Sequence, residues 1–197
     1  IVDDEGDITY YNVSFKKLKG DNKKVKLPKI KAYLLEDKIL IFDKNHIDKL
    51  FEKEFFGKKI GDALQISFIE ALYLIEKKII ELFDSYKNNI SIKDLKNKII
   101  KNQSDVLDQV FIYKDLKKKG IIPKTGFKFG THFRAYTSHP DKIHAEYLVH
   151  VVNKDFKSLW AEFSRAVRLA HSVNKEIVFS RIIKNKVEYV NFGRLRP

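Results

Sequence analysis

Three side chains in the second half of the chain could together support acid–base chemistry: Tyr136, His144 and Lys175. An imidazole titrates near neutral pH and can donate a proton, whereas a tyrosine is a poor base unless its pKa of ~10 is lowered. A nearby lysine ammonium could lower that pKa, and it could also stabilise negative charge that develops on a substrate. These residue types therefore permit acid–base catalysis without a metal ion.

Each of the three residues also has a plain structural interpretation. Tyr136 ends an aromatic segment and could be an ordinary half-buried strand residue, and Lys175 is one of very many lysines. His144 is one of six histidines, and its rivals are His132, His139, His150 and His171. His132 is the strongest rival because it lies in the same segment, near an arginine. Residue types alone therefore leave the proton donor unassigned.

The charge of the chain favours a polyanionic partner. The formal net charge is +13 over 197 residues, and lysine and arginine are spread along the whole chain. A folded basic surface suits nucleic acid, since phosphates neutralised by lysine and arginine release counterions. A generally lysine-rich or thermophilic proteome would give the same composition. Charge alone does not decide between these two explanations.

Composition excludes several classes of protein. Without cysteine there are no disulfides and no cysteine-based zinc sites, and no cofactor or metal site is predicted. No run of 18 apolar residues is present, so no membrane span is expected. The acidic, strand-like start is unlike a signal peptide, which predicts a cytoplasmic protein. Methionine is absent, as expected for an internal or processed fragment.

In the first half, strand and helix patterns alternate. The first 15 residues predict two strands joined by a turn at Glu5–Gly6, and lysine-rich residues 16–25 predict a linker. A second hairpin is predicted around Glu36–Asp37, followed by a short helix in residues 43–59. A stronger helix is indicated by apolar residues at helical spacing: Phe68, Ala71, Leu72, Ile75, Ile79 and Leu82.

In the second half, helices give way to strands. A helix with Ser104 as its N-cap is predicted to end at Gly120, and an aromatic hairpin follows it. The segment YLVHVV is apolar enough for a central strand. An amphipathic helix is predicted over residues 157–172, and EIVFSRIIKNKVEYVNF predicts a closing hairpin.

Three sequence blocks closely resemble the catalytic half of the archaeal tRNA-splicing endonucleases and their eukaryotic catalytic relatives. They are YKDLKKKG with KTGFKFG and FRAY, the strand HAEYLVHVV, and the helix end RAVRLAHSVNK. Tyr136, His144 and Lys175 match the catalytic residues of that family, and 31 residues separate the histidine from the lysine. The resemblance implies that Tyr136 is the base, His144 the acid and Lys175 the stabilising cation. The substrate would be precursor tRNA, cut at a bulge–helix–bulge by attack of a 2′-hydroxyl.

The resemblance also implies that arginines from a partner unit hold a flipped base of the RNA bulge by cation–π stacking. Arg168 matches one of them, and its position seven residues before Lys175 predicts the same helix face. The second arginine is Arg194 or Arg196, both in the terminal GRLRP. Surface solubility is the alternative role for all three.

The family also suggests an organisation. We expect a mixed α/β (α+β) fold with a small mixed N-terminal domain and a nuclease-type α/β domain, whose mixed central sheet is flanked by helices. Ile8–Asn12 resembles Val187–Asn191, and family members can fuse two units in one polypeptide. The expected boundaries are residues 1–15 as the terminal strand pair of a preceding unit, 16–25 as the linker, 26–103 as the small domain and 104–197 as the catalytic domain.

Assembly is expected as well. Partners would be precursor tRNA and further copies of the chain, in a dimer of fused chains or a tetramer of units, with or without a separate upstream fragment. The terminal segment EYVNFGRLRP is predicted to take part, since a strand at the chain end would otherwise leave an open edge. The competing functions are a non-catalytic relative of the same fold and a general basic RNA-binding module.

Overall fold

The computed structural model describes residue 1 and residues 8–23, 26–101 and 105–195. The chain divides into two compact units. The first unit is Lys23–Phe111, and the second unit combines Ile1–Asn22 with Ile112–Pro197. In the described part of the chain, no helix combines the length and the apolar character needed to cross a bilayer.

The described residues form runs of strands interrupted by helices. The strands are β1 (Tyr10–Phe15), β2 (Ile30–Leu35), β3 (Lys38–Ile41), β4 (Lys58–Ile60), β5 (Ala63–Ile66), β6 (Ile80–Phe83), β7 (Ile122–Thr125), β8 (Phe133–Tyr136), β9 (Tyr147–Val151), β10 (Glu176–Ile183) and β11 (Lys186–Leu195). The α-helices are α1 (Lys44–Asp48), α2 (Phe68–Glu76), α3 (Ile92–Ile100), α4 (Val106–Lys118) and α5 (Trp160–Ser172). The predicted mixed fold class is confirmed.

The first unit is built on a five-stranded sheet in the order β4-β5-β3-β2-β6. Strands β2 and β6 are parallel and the other neighbours are antiparallel. Side chains of β2 alternate between buried and more exposed positions, as expected for a sheet with one covered face. Helix α2 starts in a capping box in which Ser67 and Glu70 bond each other's backbone N–H.

Two predictions in this unit are wrong. The helix predicted through Leu82 ends at Glu76, because Lys78 adopts a left-handed conformation (φ 57°) and the N–H of Ile79 bonds back to the carbonyl of Leu74. This is a Schellman ending without the usual glycine, and strand β6 follows it. The helix predicted over residues 43–59 is α1 continued by a π-helical turn, Lys49–Lys53, and then gives way to β4. Every residue of β4 is exposed, so no alternating pattern marks it.

The second unit contains a six-stranded mixed sheet in the order β1-β11-β10-β9-β8-β7. Strands β9 and β10 are parallel neighbours joined through α5, and all other neighbours are antiparallel. The apolar segment predicted as a central strand is β9, so that prediction is confirmed. The two segments with similar sequences, near residues 8–12 and 187–191, lie in the paired strands β1 and β11.

Helix α5 covers this sheet with a narrow apolar stripe. Phe163, Val167 and Ala170 are buried against Leu148 of β9 and Ile177 of β10. The helix begins at Trp160, three residues later than predicted. Helix α5 ends at Ser172 and β10 begins at Glu176, so the end of the helix determines where the chain re-enters the sheet.

Several further predictions have clear outcomes. The hairpins β2–β3, β7–β8 and β10–β11 are confirmed, as is the end of α4 at Gly120, which has a φ of 76°. The terminal strand β11 is expected from the sequence to leave an open edge. Instead, β1 pairs with its outer side, so that expectation is wrong. The turn at Glu5–Gly6 and the N-cap at Ser104 lie outside the described residues.

Candidate active site

Three strand ends meet at one edge of the six-stranded sheet. Strand β8 runs antiparallel to β9, with Ala135 opposite Tyr147, and β9 runs parallel to β10, with Tyr147 opposite Glu176. The end of β8 therefore lies beside the starts of β9 and β10. The N–H of Glu146 donates to the carbonyl of Ala135 (3.2 Å), and the N–H of Glu176 donates to the carbonyl of Glu146 (2.9 Å).

Tyr136, His144 and Lys175 all lie at this edge. Tyr136 is the last residue of β8, His144 precedes β9 by three residues, and Lys175 immediately precedes β10. Ala135 precedes Tyr136, Glu146 lies two residues after His144, and Glu176 follows Lys175. The two backbone hydrogen bonds therefore join neighbours of all three residues. The sheet therefore brings together the segments that carry the predicted catalytic residues.

The position of Lys175 is fixed by the ending of α5. Asn174 adopts a left-handed conformation (φ 54°), and the N–H of Lys175 donates to the carbonyl of Ala170 (2.9 Å). These contacts form a Schellman motif, in which asparagine is one of the residues that tolerate the left-handed position. The Lys175 ammonium lies 5.9 Å from the centre of the Phe129 ring and 3.4 Å from the carbonyl of Val173. Lys175 is half-buried, so its charge remains accessible to a ligand.

Tyr136 and His144 differ in exposure. Tyr136 is buried, and the guanidinium of Arg134 lies 5.8 Å from its ring centre. His144 is exposed in the segment between β8 and β9. That segment folds back at His139, whose carbonyl accepts from the N–H groups of Lys142 and Ile143. An exposed imidazole beside a strand end is well placed to meet a large substrate.

A cavity of about 290 Å³ opens beside Lys175. Its lining contains residues that sequence reasoning did not assign to the site: Glu146, His171, Asn174 and Glu176. Thr137, which follows Tyr136, donates its hydroxyl to the Glu146 carboxylate. Glu176 directly follows Lys175 in sequence, and Glu146 lies two residues after His144, but neither glutamate stands out in a chain with 26 acidic residues.

Glu176 is paired with a lysine from the start of the chain. The ammonium of Lys16 lies 2.7 Å and 3.0 Å from the two carboxylate oxygens of Glu176 and 5.3 Å from the ring centre of Tyr147. The hydrogen bond to Glu176 raises the pKa of the Lys16 ammonium. Burial raises the pKa of the Tyr147 hydroxyl, which Lys16 partly opposes. The sheet edge that carries Lys175 therefore includes Lys16, which lies 160 positions before Glu176 in sequence.

His132, the predicted rival of His144, lies at the other end of β8. Its Nδ1 accepts a hydrogen bond from the N–H of Val151 (3.0 Å), and its ring centre is 4.8 Å from that of His150. It lies four positions before Tyr136, which is about 13 Å along an extended strand. His132 thus lies near the opposite edge of the sheet from Tyr136.

The three predicted RNA-binding arginines have different outcomes. Arg168 is exposed on α5, but the helix ends at Ser172, so the prediction that Arg168 and Lys175 share a helix face is wrong. Arg194 is exposed near the end of β11 and pairs with Tyr11 in the register. Because Ile177 pairs with Phe192, this end of β11 lies at the same sheet edge as the start of β10. Arg196 lies outside the described residues.

Across residues 8–23, 26–101 and 105–195, no group of three or more histidine, aspartate or glutamate side chains is arranged to hold a metal ion. At the described edge, tyrosine, histidine and lysine are the side chains that could carry acid–base chemistry, and the two glutamate carboxylates add negative charge beside Lys175.

Two family models match the chain. Residues 30–96 match the N-terminal domain of tRNA intron endonucleases, and residues 106–189 match the catalytic C-terminal domain. The catalytic match includes Tyr136, His144 and Lys175.

Relatives named tRNA-splicing endonuclease are similar over most or all of the chain. The protein of Methanococcoides burtonii is 37% identical over 202 residues, covering 100% of this chain and 58% of the relative. The protein of Methanosarcina mazei is 35% identical, again over 100% of this chain and 57% of the relative. The protein of Methanococcus maripaludis is 36% identical over 169 residues, covering 85% of this chain and 95% of the relative. The chain thus spans between half and two thirds of the length of the first two relatives.

Proposed function

Because the chain belongs to the tRNA intron endonuclease family, we propose that it acts as an RNA endonuclease that cuts precursor tRNA at intron boundaries. The observation that most supports this proposal is the shared sheet edge, where the end of β8 meets the starts of β9 and β10. That edge carries Tyr136, His144 and Lys175 on three separate backbone segments. In the proposed site, a substrate bound at this edge would meet all three functional groups.

In the proposed reaction, the 2′-hydroxyl oxygen beside the scissile phosphate attacks phosphorus. Tyr136 accepts the 2′ proton as the new oxygen–phosphorus bond forms, and the bond from phosphorus to the 5′ oxygen breaks. His144 donates a proton to that departing oxygen. Lys175 stabilises the negative charge on the phosphorane-like transition state. The products are a 2′,3′-cyclic phosphate and a 5′-hydroxyl. The reaction consumes no water and requires no metal ion.

The surroundings of the two histidines support His144 as the acid. His144 is exposed at the edge where Tyr136 and Lys175 lie, whereas the Nδ1 of His132 is engaged by the N–H of Val151. A general acid must come within hydrogen-bond reach of the leaving oxygen. A histidine at the other end of β8 lies about 13 Å from Tyr136 along the strand, well beyond that reach.

For substrate recognition we propose the bulge–helix–bulge, in which two bulges flank a short helix. Such an RNA presents two cut sites, so two active units related by two-fold symmetry would fit it. Arg168 and a terminal arginine would hold a flipped bulge base in the neighbouring unit's site by stacking on its face. Arg168 and Arg194 are both exposed, as this role requires.

The direct test is incubation of the protein with a bulge–helix–bulge RNA in the presence of EDTA. We expect cleavage at both bulges to persist in the chelator, because the proposed reaction uses only protein side chains. A matched RNA with the bulges replaced by paired bases controls for general nuclease activity and should remain intact.

Two results would contradict the proposal. Binding of the RNA without any cleavage would favour a non-catalytic relative or a basic RNA-binding module. Loss of cleavage in EDTA with recovery in Mg²⁺ would indicate a metal-dependent reaction, provided that native gels show the RNA folded in both buffers.

A further inference from the structure

The cavity beside Lys175 has an unfavourable charge for a ligand that carries phosphates. Its lining contains one lysine ammonium, from Lys175, and two carboxylates, from Glu146 and Glu176, together with His171 and Asn174. Counting these carboxylates against this ammonium gives an excess of one negative charge. A carboxylate next to Lys175 would weaken the attraction of that lysine for a phosphate.

Lys16 offsets this excess. Its ammonium bonds both carboxylate oxygens of Glu176, at 2.7 Å and 3.0 Å. The lysine side chain is 30% exposed and that of Glu176 45% exposed, so the pair is partly screened by water and its effect should be moderate. The ammonium nevertheless lies within hydrogen-bond distance of both carboxylate oxygens.

Backbone contacts hold the segment that carries Lys16 against the sheet. The N–H of Lys16 donates to the carbonyl of Tyr189 (2.8 Å), which continues the pairing of β1 with β11. Two residues later, Leu18 is buried. The N–H of Gly20 then donates to the carbonyl of Lys119 (2.9 Å).

The same segment also reaches the residue after Tyr136. The N–H of Asp21 donates to the carbonyl of Thr137 (2.9 Å), and the Asp21 carboxylate accepts from the hydroxyl of Ser138 (3.0 Å). Residues 16–22 therefore contact the neighbours of both Tyr136 and Lys175. Residues 16–22, which lie in the predicted linker, are therefore held within the second unit by contacts at both ends.

From these contacts we propose that Lys16 is a positioning residue for the endonuclease reaction: it neutralises Glu176, so that this carboxylate does not offset the charge with which Lys175 binds the scissile phosphate. This inference rests on the proposed function. Lys16 does not touch the substrate and acts through Glu176. The segment that precedes the family-matched domains thereby contributes to the electrostatics of the catalytic edge.

The test compares cleavage kinetics of Lys16→Ala, Lys17→Ala, Glu176→Ala and the double variant Lys16→Ala with Glu176→Ala. Lys17 is exposed and next in sequence, so its substitution changes the net charge by the same amount and serves as the control. We expect Lys16→Ala to lower kcat/KM about three- to tenfold at low salt, mainly through KM, and the loss to shrink at high salt. Lys17→Ala should stay within about twofold of the parent protein.

The double variant separates charge compensation from simple fastening of β1. If Lys16 acts by neutralising Glu176, Glu176→Ala should be at least as active as the parent. The double variant should then return to within about twofold of it. If the ion pair only holds the strand, both single variants should lose activity alike and the double variant should stay low. Lys16→Gln keeps the aliphatic stem and Lys16→Arg keeps the charge, so a folded variant is available even if Lys16→Ala is unstable.

A binding measurement keeps this inference distinct from the proposed function. Affinities of the same variants are measured for an RNA with 2′-deoxy residues at the cut sites, which cannot be cleaved by the proposed route. If the parent protein does not cleave the RNA, the proposed function is wrong. The relative affinities of the variants would still show whether Lys16 offsets the charge of Glu176. The inference is overturned if Lys16→Ala binds and cleaves like Lys17→Ala, or if removing Glu176 fails to restore the Lys16→Ala variant.

Discussion

At the scale of single residues, the proposed roles depend on what each side chain faces. His144 is exposed beside the strand ends that carry Tyr136 and Lys175, and His132 accepts a backbone hydrogen bond from Val151 at the other end of β8. These environments predict different consequences for two otherwise identical substitutions.

His144→Ala should lower the rate of cleavage at least about 100-fold while RNA affinity changes only a few-fold, because the departing 5′ oxygen loses its proton donor. His132→Ala should cost about 1 kcal/mol of stability through the lost hydrogen bond to Val151 and leave the cleavage rate near normal. Single-turnover kinetics and denaturant titrations measure both effects. The opposite pattern, with cleavage abolished only in His132→Ala, would mean that the acid is misassigned.

How far sequence could predict the site depends on the range of the contacts. Tyr136, His144 and Lys175 were found through local blocks that resemble a family, and the strand and helix patterns that carry them are short-range signals. The partner of Glu176 could not be found in this way, since Lys16 lies 160 residues away and is one of many lysines. Contacts of that range depend on how the sheet assembles, which no local pattern encodes.

At the scale of elements, helix ends explain both the successes and the failures of the sequence pattern. The end of α4 was predicted because Gly120 is a typical residue for a left-handed ending, whereas α2 ends with Lys78 in that conformation and was predicted too long. Strand β4 was missed because all three of its residues are exposed. Sequence patterns therefore predict an element where alternating burial or a terminal glycine indicates it. They miss an exposed strand such as β4 and a helix end at which a lysine adopts the left-handed conformation.

The close approach of Gly20 and Gly120 predicts that a side chain at position 120 is destabilising. A Cβ at Gly120 would lie 2.5 Å from the carbonyl oxygen of Gly20, and Gly120 also has a φ of 76°. We expect Gly120→Ala to destabilise the protein by about 3 kcal/mol, because backbone must move to relieve the contact. Gly130 has a similar φ of 64°, but a Cβ at that position would meet nothing within 4 Å, so Gly130→Ala isolates the conformational cost, about 1 kcal/mol. Equal losses in urea denaturation would show that residues 16–22 do not pack tightly on the end of α4.

At the scale of the whole molecule, the six-stranded sheet ends in an exposed apolar strand. Val13 and Phe15 of β1 are 53% and 73% exposed, and among the described residues β1 pairs only with β11. Exposed apolar edge strands tend to be covered by another chain or segment. Strand β1 is therefore a candidate contact surface for the proposed symmetric assembly.

Assembly makes a prediction about mixtures of inactive variants. If Arg168 acts in the neighbouring unit's site, mixing His144→Ala chains with Arg168→Ala chains should restore cutting, because one composite site regains both groups. Random exchange between two-site assemblies should return roughly a quarter of the sites. Activity measured after subunit exchange, verified by mass spectrometry, is the readout. A mixture as inactive as its parents would show that the arginine acts within its own unit.

The most direct test of the central claim is the chemistry of the cut ends. A bulge–helix–bulge RNA is cleaved in EDTA, in parallel with the same RNA carrying a single 2′-deoxy nucleotide at one cut site, and the ends are identified by mass spectrometry. We predict 2′,3′-cyclic phosphate and 5′-hydroxyl ends from the unmodified RNA, and complete protection of the deoxy site while the other site is still cut. Cleavage at the deoxy site, or ends with a 5′-phosphate, would contradict attack by the 2′-hydroxyl and with it the proposed roles of Tyr136, His144 and Lys175.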